Sequence, residues 1–175
     1  MMTSRIILTF DCLRSCEGCC NTDKGLMDQA ITVDNLEQCV TLFDEIILTG
    51  GEPLLYPDLV NQVITEIRER WNGKKIYLYT TIFTPELKKI VDRIDGVHYT
   101  LHEGCSDKDV YAFLDFQRFI AKRKGSFRAY IDPRVKRIIH IYPSYWTRVE
   151  VKPWLDNCPL PSNETLFIYG KRTTT

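Results

Sequence analysis

The stretch Glu45-Ile46-Ile47-Leu48-Thr49-Gly50-Gly51-Glu52-Pro53, with Pro57 and a helical pattern behind it, decides how this chain is read. Residues 45–48 are rich in branched aliphatic side chains and predict a strand. The paired glycines predict a turn with close backbone approach, and Pro53 stiffens its exit. Val60, Val63, Ile64, Ile67 and Trp71 then fall on one face of a helix that starts near Pro57. Strand, turn and helix follow one another in that order.

The same pattern extends in both directions. Further strands are predicted at residues 5–10, 75–79, 97–101, 127–131 and 148–151, all rich in Ile, Val, Tyr and Phe. Between them, Leu87, Ile90, Val91 and Ile94 predict a helix with Thr84 as N-cap and Pro85 at its first position. Ser106 and Asp109 resemble a capping box ahead of Val110, Phe113 and Leu114. That helix should close on Lys122, Arg123 and Lys124, cations at the negative end of the dipole, with Gly125 as the cap. Asp132 and Pro133 predict another helix, bearing Val135, Ile138, Ile139 and Tyr142. A first helix is expected from Thr32 or Asp34 to Phe43, and residues 165–169 can add a strand. The expectation is an α/β fold: an open, partial TIM-like (βα)6 barrel with a parallel sheet and outer helices. Residues 1–156 would form the barrel domain, and residues 157–175 a C-terminal extension of it. In such sheets ligands sit at the carboxyl ends of the strands, so the chemistry should lie just after each one.

Composition is that of an ordinary globular protein, with 44% hydrophobic and 26% charged residues and a net charge of zero. Nucleic acid is therefore not expected as a partner. The first hundred residues nevertheless carry a net −5 and the remainder +5. A solvated helix end or a dock for an acidic or phosphate-bearing partner would each explain the basic half. Met1 to Arg5 lead straight into the brief apolar run Ile6-Ile7-Leu8, and no stretch is long enough to cross a bilayer. A cytoplasmic protein is expected, in which disulfides among the seven cysteines are unexpected.

Four of those cysteines crowd into Asp11-Cys12-Leu13-Arg14-Ser15-Cys16-Glu17-Gly18-Cys19-Cys20-Asn21, directly after the first strand. Cys12, Cys16 and Cys19 form C-x3-C-x2-C. Thiolates are the soft ligands of iron–sulfur clusters. A cubane normally takes four of them, so three would leave one iron open. The alternatives are a zinc knuckle or cysteines that merely pack. Zinc usually takes separated cysteine pairs and a fourth ligand. Cys39, Cys105 and Cys158 stand alone and read as small core residues. Cys20 reads as an inert neighbour, with a spare thiolate near a cluster as the other reading.

C-x3-C-x2-C after the first strand, with Gly-Gly-Glu-Pro after the second, resembles the radical S-adenosylmethionine superfamily. Specific motifs carry that resemblance over the first half of the chain, and fold pattern alone over the rest. It implies that Cys12, Cys16 and Cys19 hold a [4Fe–4S] cluster, and that Gly50, Gly51, Glu52 and Pro53 form the turn that meets the methionine amino group of S-adenosylmethionine. It further implies reductive cleavage of that cofactor to a 5′-deoxyadenosyl radical, which takes hydrogen from a substrate. Where the family usually has an aromatic residue before the third cysteine, this chain has Gly18, so adenine contacts must come partly from elsewhere. Polar residues at later strand ends are candidates for ribose and carboxylate contacts: Thr80 and Thr81, His102 and Glu103, and Arg128 and Tyr130.

The substrate would be a small, nucleotide-like molecule or a partner protein. The former draws on the basic second half, with Lys152-Pro153-Trp154 as a cation and stacking face. The latter rests on Cys16-Glu17-Gly18-Cys19-Cys20-Asn21, which is similar to the C-x-G-C-x-N form of anaerobic ribonucleotide reductase activases. These act on a glycyl-radical partner enzyme. Either route needs a reductant such as a flavodoxin- or ferredoxin-like protein. A non-catalytic metal-binding module is the alternative of another class, and it has no need of Gly-Gly-Glu-Pro.

Overall fold

Runs of Ile, Leu, Val and Tyr form the strands, and alternation along each run divides the sheet into two unlike faces. The computed structural model describes residues 1–153 and 159–170. Its strands are β1 (Thr3–Thr9), β2 (Ile31–Val33), β3 (Glu45–Gly50), β4 (Lys75–Thr80), β5 (Gly96–Leu101), β6 (Ser126–Ile131), β7 (Arg148–Val151) and β8 (Glu164–Tyr169). They form one sheet in the order β2-β8-β1-β3-β4-β5-β6-β7, and every neighbouring pair is parallel. The fold is thus α/β with an open sheet of eight strands rather than six. The additions are β2 and β8 on the far side of β1.

The helices are α1 (Lys24–Met27), α2 (Glu37–Val40), α3 (Pro57–Arg70), α4 (Pro85–Ile90) and α5 (Asp107–Ile120). Ile6, Ile46, Leu48, Ile76, Leu78 and Val97 are fully buried on one face of the sheet. They pack with Val60, Ile64 and Ile67 of α3, Leu87 and Ile90 of α4, and Phe113 and Phe116 of α5. Each such aliphatic side chain contributes about 1.5–3 kcal/mol by leaving water.

The register sets the opposite residues in rows on the other face. Ile7 and Thr49 align, Tyr79 aligns with His98, and His98 with Arg128. A small apolar cluster of Ile7, Leu26, Leu166 and Ile168 covers this face at β1 and β8, where α1 packs. Toward β6 and β7 it is polar and aromatic. Parallel sheets usually bury both faces behind aliphatic side chains, so a polar inner face is the first sign of a binding surface.

His98 sits on this face at 4% exposure, and burial, followed by Arg128, Arg5 and Lys152, pushes its pKa down to about 3. The unfolded chain therefore takes up a proton, near pH 6.5, that the folded chain refuses. Stability is full above that value and falls as the pH drops toward 3, by an amount on the order of a few kcal/mol. Replacing His98 by Phe should flatten the stability–pH curve over that window, as read by urea denaturation between pH 4 and pH 7.

Two helix expectations are corrected. Residues 132–142 hold no helix; only a 3-10 turn at Pro143–Tyr145 follows. Gln117 of α5, fully buried, explains why. Its Nε2 donates to the His140 carbonyl at 2.9 Å, and its Oε1 accepts from the Tyr142 N–H and the Trp146 indole, each at 2.9 Å. Backbone groups that a helix would use are thereby held in an irregular course, with Ile138 left 98% exposed. The expected helix between Thr32 and Phe43 shrinks to α2, because Ile31–Val33 pairs with β8 instead. Trp154, Cys158 and residues 173–175 lie outside the described residues.

The capping box on α5 forms as expected. The Ser106 hydroxyl accepts from the Asp109 N–H at 3.3 Å, and Asp109 Oδ2 accepts from the Ser106 N–H at 2.7 Å. A Ser106→Ala change should cost about 1 kcal/mol in chemical denaturation.

Candidate functional site

The two strand ends marked by the sequence lie side by side. The Gly51 N–H donates to the Thr9 carbonyl at 2.7 Å, and the Glu52 N–H to the Asp11 carbonyl at 2.8 Å. A Cβ at Gly50, where φ is +139°, would lie 2.2 Å from the Thr9 oxygen, and one at Gly51 would lie 2.0 Å from the Asp11 oxygen. Both contacts are with backbone, which cannot swing aside. The glycines are therefore required by the abutment of β3 on the base of the cysteine loop. The Tyr56 hydroxyl also bonds the Asp11 carboxylate.

Cys12, Cys16 and Cys19 are free thiols in that loop. Gly18 turns between the last two with φ of 70°. Burial pushes the Cys16 thiol up, and Cys19 and Cys12 push it further, so the three thiols sense one another. The Arg14 guanidinium opposes them. Cys20 is disulfide-bonded, a correction to the expectation that no cysteine pairs.

Arg14 fastens this loop to the sheet's rim. Its Nη2 pairs with Asp109 at 2.7 Å, and its Nε lies 3.4 Å from Thr81 Oγ1. Burial works against the Asp109 carboxylate, yet the Ser106 bonds and Arg14 hold it below its usual pKa. Neither residue was singled out as functional from sequence. Arg14 lies between two cysteines, and that position was the only signal available.

All three thiols line one cavity, which encloses about 890 Å3 of non-atom space, part of it open to solvent. Gly50, Gly51, Thr80, Thr81 and His102 line it too. Ile7, Leu26, Met27, Tyr79 and Leu166 give it an apolar side. Half of the strand-end residues predicted from sequence thus come together, and five are placed differently: Glu52, Pro53, Glu103, and Arg128 with Tyr130 on β6.

Glu52 is 1% exposed and does not line the cavity. Its Oε1 accepts from the Leu54 N–H at 3.1 Å and the Thr80 hydroxyl at 2.8 Å. Its Oε2 accepts from the Thr81 N–H at 2.8 Å and the Thr81 hydroxyl at 3.0 Å. Burial pushes its pKa up, and these bonds pull it back. The carboxylate is a brace beneath the rim, and only the backbone of this turn faces the cavity. Pro53 is buried behind it, opening a 3-10 turn.

His102 borders both the main cavity and a smaller one beside Cys16, Glu17 and Asp132. Burial first, then Arg14, pushes its pKa down to about 4, so it is neutral at pH 7. Glu103 is exposed and pairs at 2.9 Å with Arg134, which also reaches Asp132 at 2.9 Å and Glu17 at 3.5 Å. It belongs to the smaller cavity. Arg128 lies away from both, on β6 beside His98.

Among the described residues no group of three His, Cys, Asp or Glu side chains gathers closely enough to hold one metal ion. The three thiols nonetheless line one cavity together. A family model described as a 4Fe-4S single cluster domain matches residues 4–112, which include the cysteine loop, the glycine turn and the strands up to β5. The chain belongs to that family. It is an iron–sulfur protein, and three soft, free thiols at one cavity fit a [4Fe–4S] cluster. This 4Fe-4S single cluster domain has no match among curated proteins. Among the described residues, no helix is long and apolar enough to cross a membrane.

Proposed function

We propose that this chain is a radical S-adenosylmethionine enzyme. The observation that carries the reading is the joining of two motifs at one cavity: Cys12, Cys16 and Cys19 on one side, Gly50 and Gly51 on the other. A simple electron carrier has no use for the second motif. Cys12, Cys16 and Cys19 would hold three corners of the cluster. Bound there and reduced by a flavodoxin- or ferredoxin-like protein, the cluster would supply the one electron needed to cleave the sulfonium of S-adenosylmethionine into methionine and a hydrogen-abstracting 5′-deoxyadenosyl radical.

The chain's own residues bind, orient and shield. The peptide groups of Gly50 and Gly51 are offered to the methionine amino group. Thr81 and the neutral His102, both on the cavity wall, would serve as partners for ribose or carboxylate oxygens. Tyr79, Met27 and Leu166 offer an apolar wall for adenine, replacing the aromatic residue that Gly18 displaces. Arg14 holds the loop against the rim, and its charge offsets that of thiolates at Cys16 and its neighbours.

The substrate we favour is a small molecule seated on the inner face of the sheet. Asn21 on the cavity wall favours a second reading, a glycyl-radical activase, in which a partner enzyme presents its backbone glycine there.

Anaerobic reconstitution with iron and sulfide tests the proposal. A brown protein that releases 5′-deoxyadenosine from S-adenosylmethionine under dithionite is expected. A brown protein that leaves S-adenosylmethionine intact contradicts catalysis, and a colourless zinc protein contradicts the cluster as well. A glycine-centred radical on a co-purified partner would select the activase.

A further inference from the structure

On the inner face of the sheet, one row of residues crosses β4, β5, β6 and β7: Tyr79, His98, Arg128 and Arg148, paired in register. Tyr79 lines the cofactor cavity, so the row runs outward from it. Every other cation on this part of the face has a carboxylate partner. Arg5 pairs with Glu164, and Arg148 and Lys152 share Glu150. Arg128 has none among the described residues, and its buried Nε lacks any hydrogen-bond partner.

Arg128 and Arg148 stand in register on adjacent strands, and of the two only Arg148 has a carboxylate, Glu150, beside it among the described residues. Next to them, His98 is 96% buried with neither ring nitrogen bonded. Buried polar atoms without partners cost stability, and three of them lie together here: both His98 ring nitrogens and Arg128 Nε. Tyr79 and Tyr130 flank the imidazole, with ring centroids 4.4 and 5.8 Å away.

We propose that Arg128, with His98 and Arg148, forms an oxyanion subsite that seats the substrate's carboxylate or phosphate beside the cofactor cavity. The assignment rests on the catalytic reading above and names the substrate class: a small organic oxyanion. The planar guanidinium fork suits either anion through two parallel hydrogen bonds. The imidazole, kept neutral by burial and neighbouring cations, supplies one donor and one acceptor to the substrate's remaining polar atoms. Anchored in this row, the substrate holds its C–H bonds toward Tyr79 and the cavity.

The chain has three histidines, so its imidazole spectrum is simple enough to follow by NMR. Benzoate and phenyl phosphate serve as probes on the full chain, with benzamide as the neutral control. The signal lost in His98→Phe identifies His98. One of the two anions should shift that signal, the tighter one naming the anion, while benzamide leaves it in place. Arg128→Gln should weaken the response about tenfold or more, Arg128→Lys less so, and Arg118→Gln on the outer surface of α5 not at all. A His98 signal unmoved by both anions in the wild type overturns the subsite, as does equal binding by folded Arg128→Gln. Cofactor cleavage by the wild type is scored separately. Oxyanion binding without 5′-deoxyadenosine would support the subsite and overturn the catalytic reading; cleavage without oxyanion binding would do the reverse.

Discussion

Cys16→Ala should abolish cluster retention: reconstituted wild-type chain is expected to carry close to four irons, and the variant close to none. Cys16 is the middle of the three proposed ligands, half-buried in the loop, and its thiol is the one on which both other thiols act. Two remaining thiols cannot define three corners of a cubane. The fold should survive, because the loop contributes no side chain to the main core. Circular dichroism with iron and sulfide analysis reads both effects. Full iron content in folded Cys16→Ala would remove this residue from the ligand set.

Glu52→Gln should destabilise the protein by about 3 kcal/mol, although it changes only one atom of a buried side chain. Both carboxylate oxygens accept, and each accepts from a backbone N–H: Leu54 on one, Thr81 on the other. An amide must put its NH2 against one of them, whichever way it flips. The Thr80 and Thr81 hydroxyls can rotate in response, but the backbone donors cannot. A buried donor is then left unsatisfied, and charge-assisted bonds become neutral ones. Because Glu52 braces Thr80, Thr81 and the glycine turn together, looser cluster retention should accompany the loss of stability. Urea denaturation and iron content measure the two. Wild-type stability in Glu52→Gln would mean that the carboxylate is not the brace.

The strands from β1 to β7 other than β2 were legible, because β-branched and aromatic runs alternate with helical periods. β8 was legible only as a possible strand. β2, three residues long, has no pattern of its own and exists because β8 lies beside it. The stretch after Asp132 carries helical periodicity, but Gln117 captures its backbone from twenty-odd residues away, which no local pattern reveals. In the site, the thiols and glycines were legible from spacing and from their place at strand ends. The direction of the Glu52 carboxylate was not, since a motif names a residue without saying which way its side chain turns. Arg14 escaped notice because its partners, Thr81 and Asp109, are brought to it only by folding.

The central claim is that three thiolates of one loop hold a cubane with a single iron left open for S-adenosylmethionine. Mössbauer spectroscopy of the chain reconstituted with isotopically enriched iron tests it directly. Adding S-adenosylmethionine should change the signal of one iron in four and leave the rest in place. A spectrum in which all four irons stay unchanged would contradict the claim.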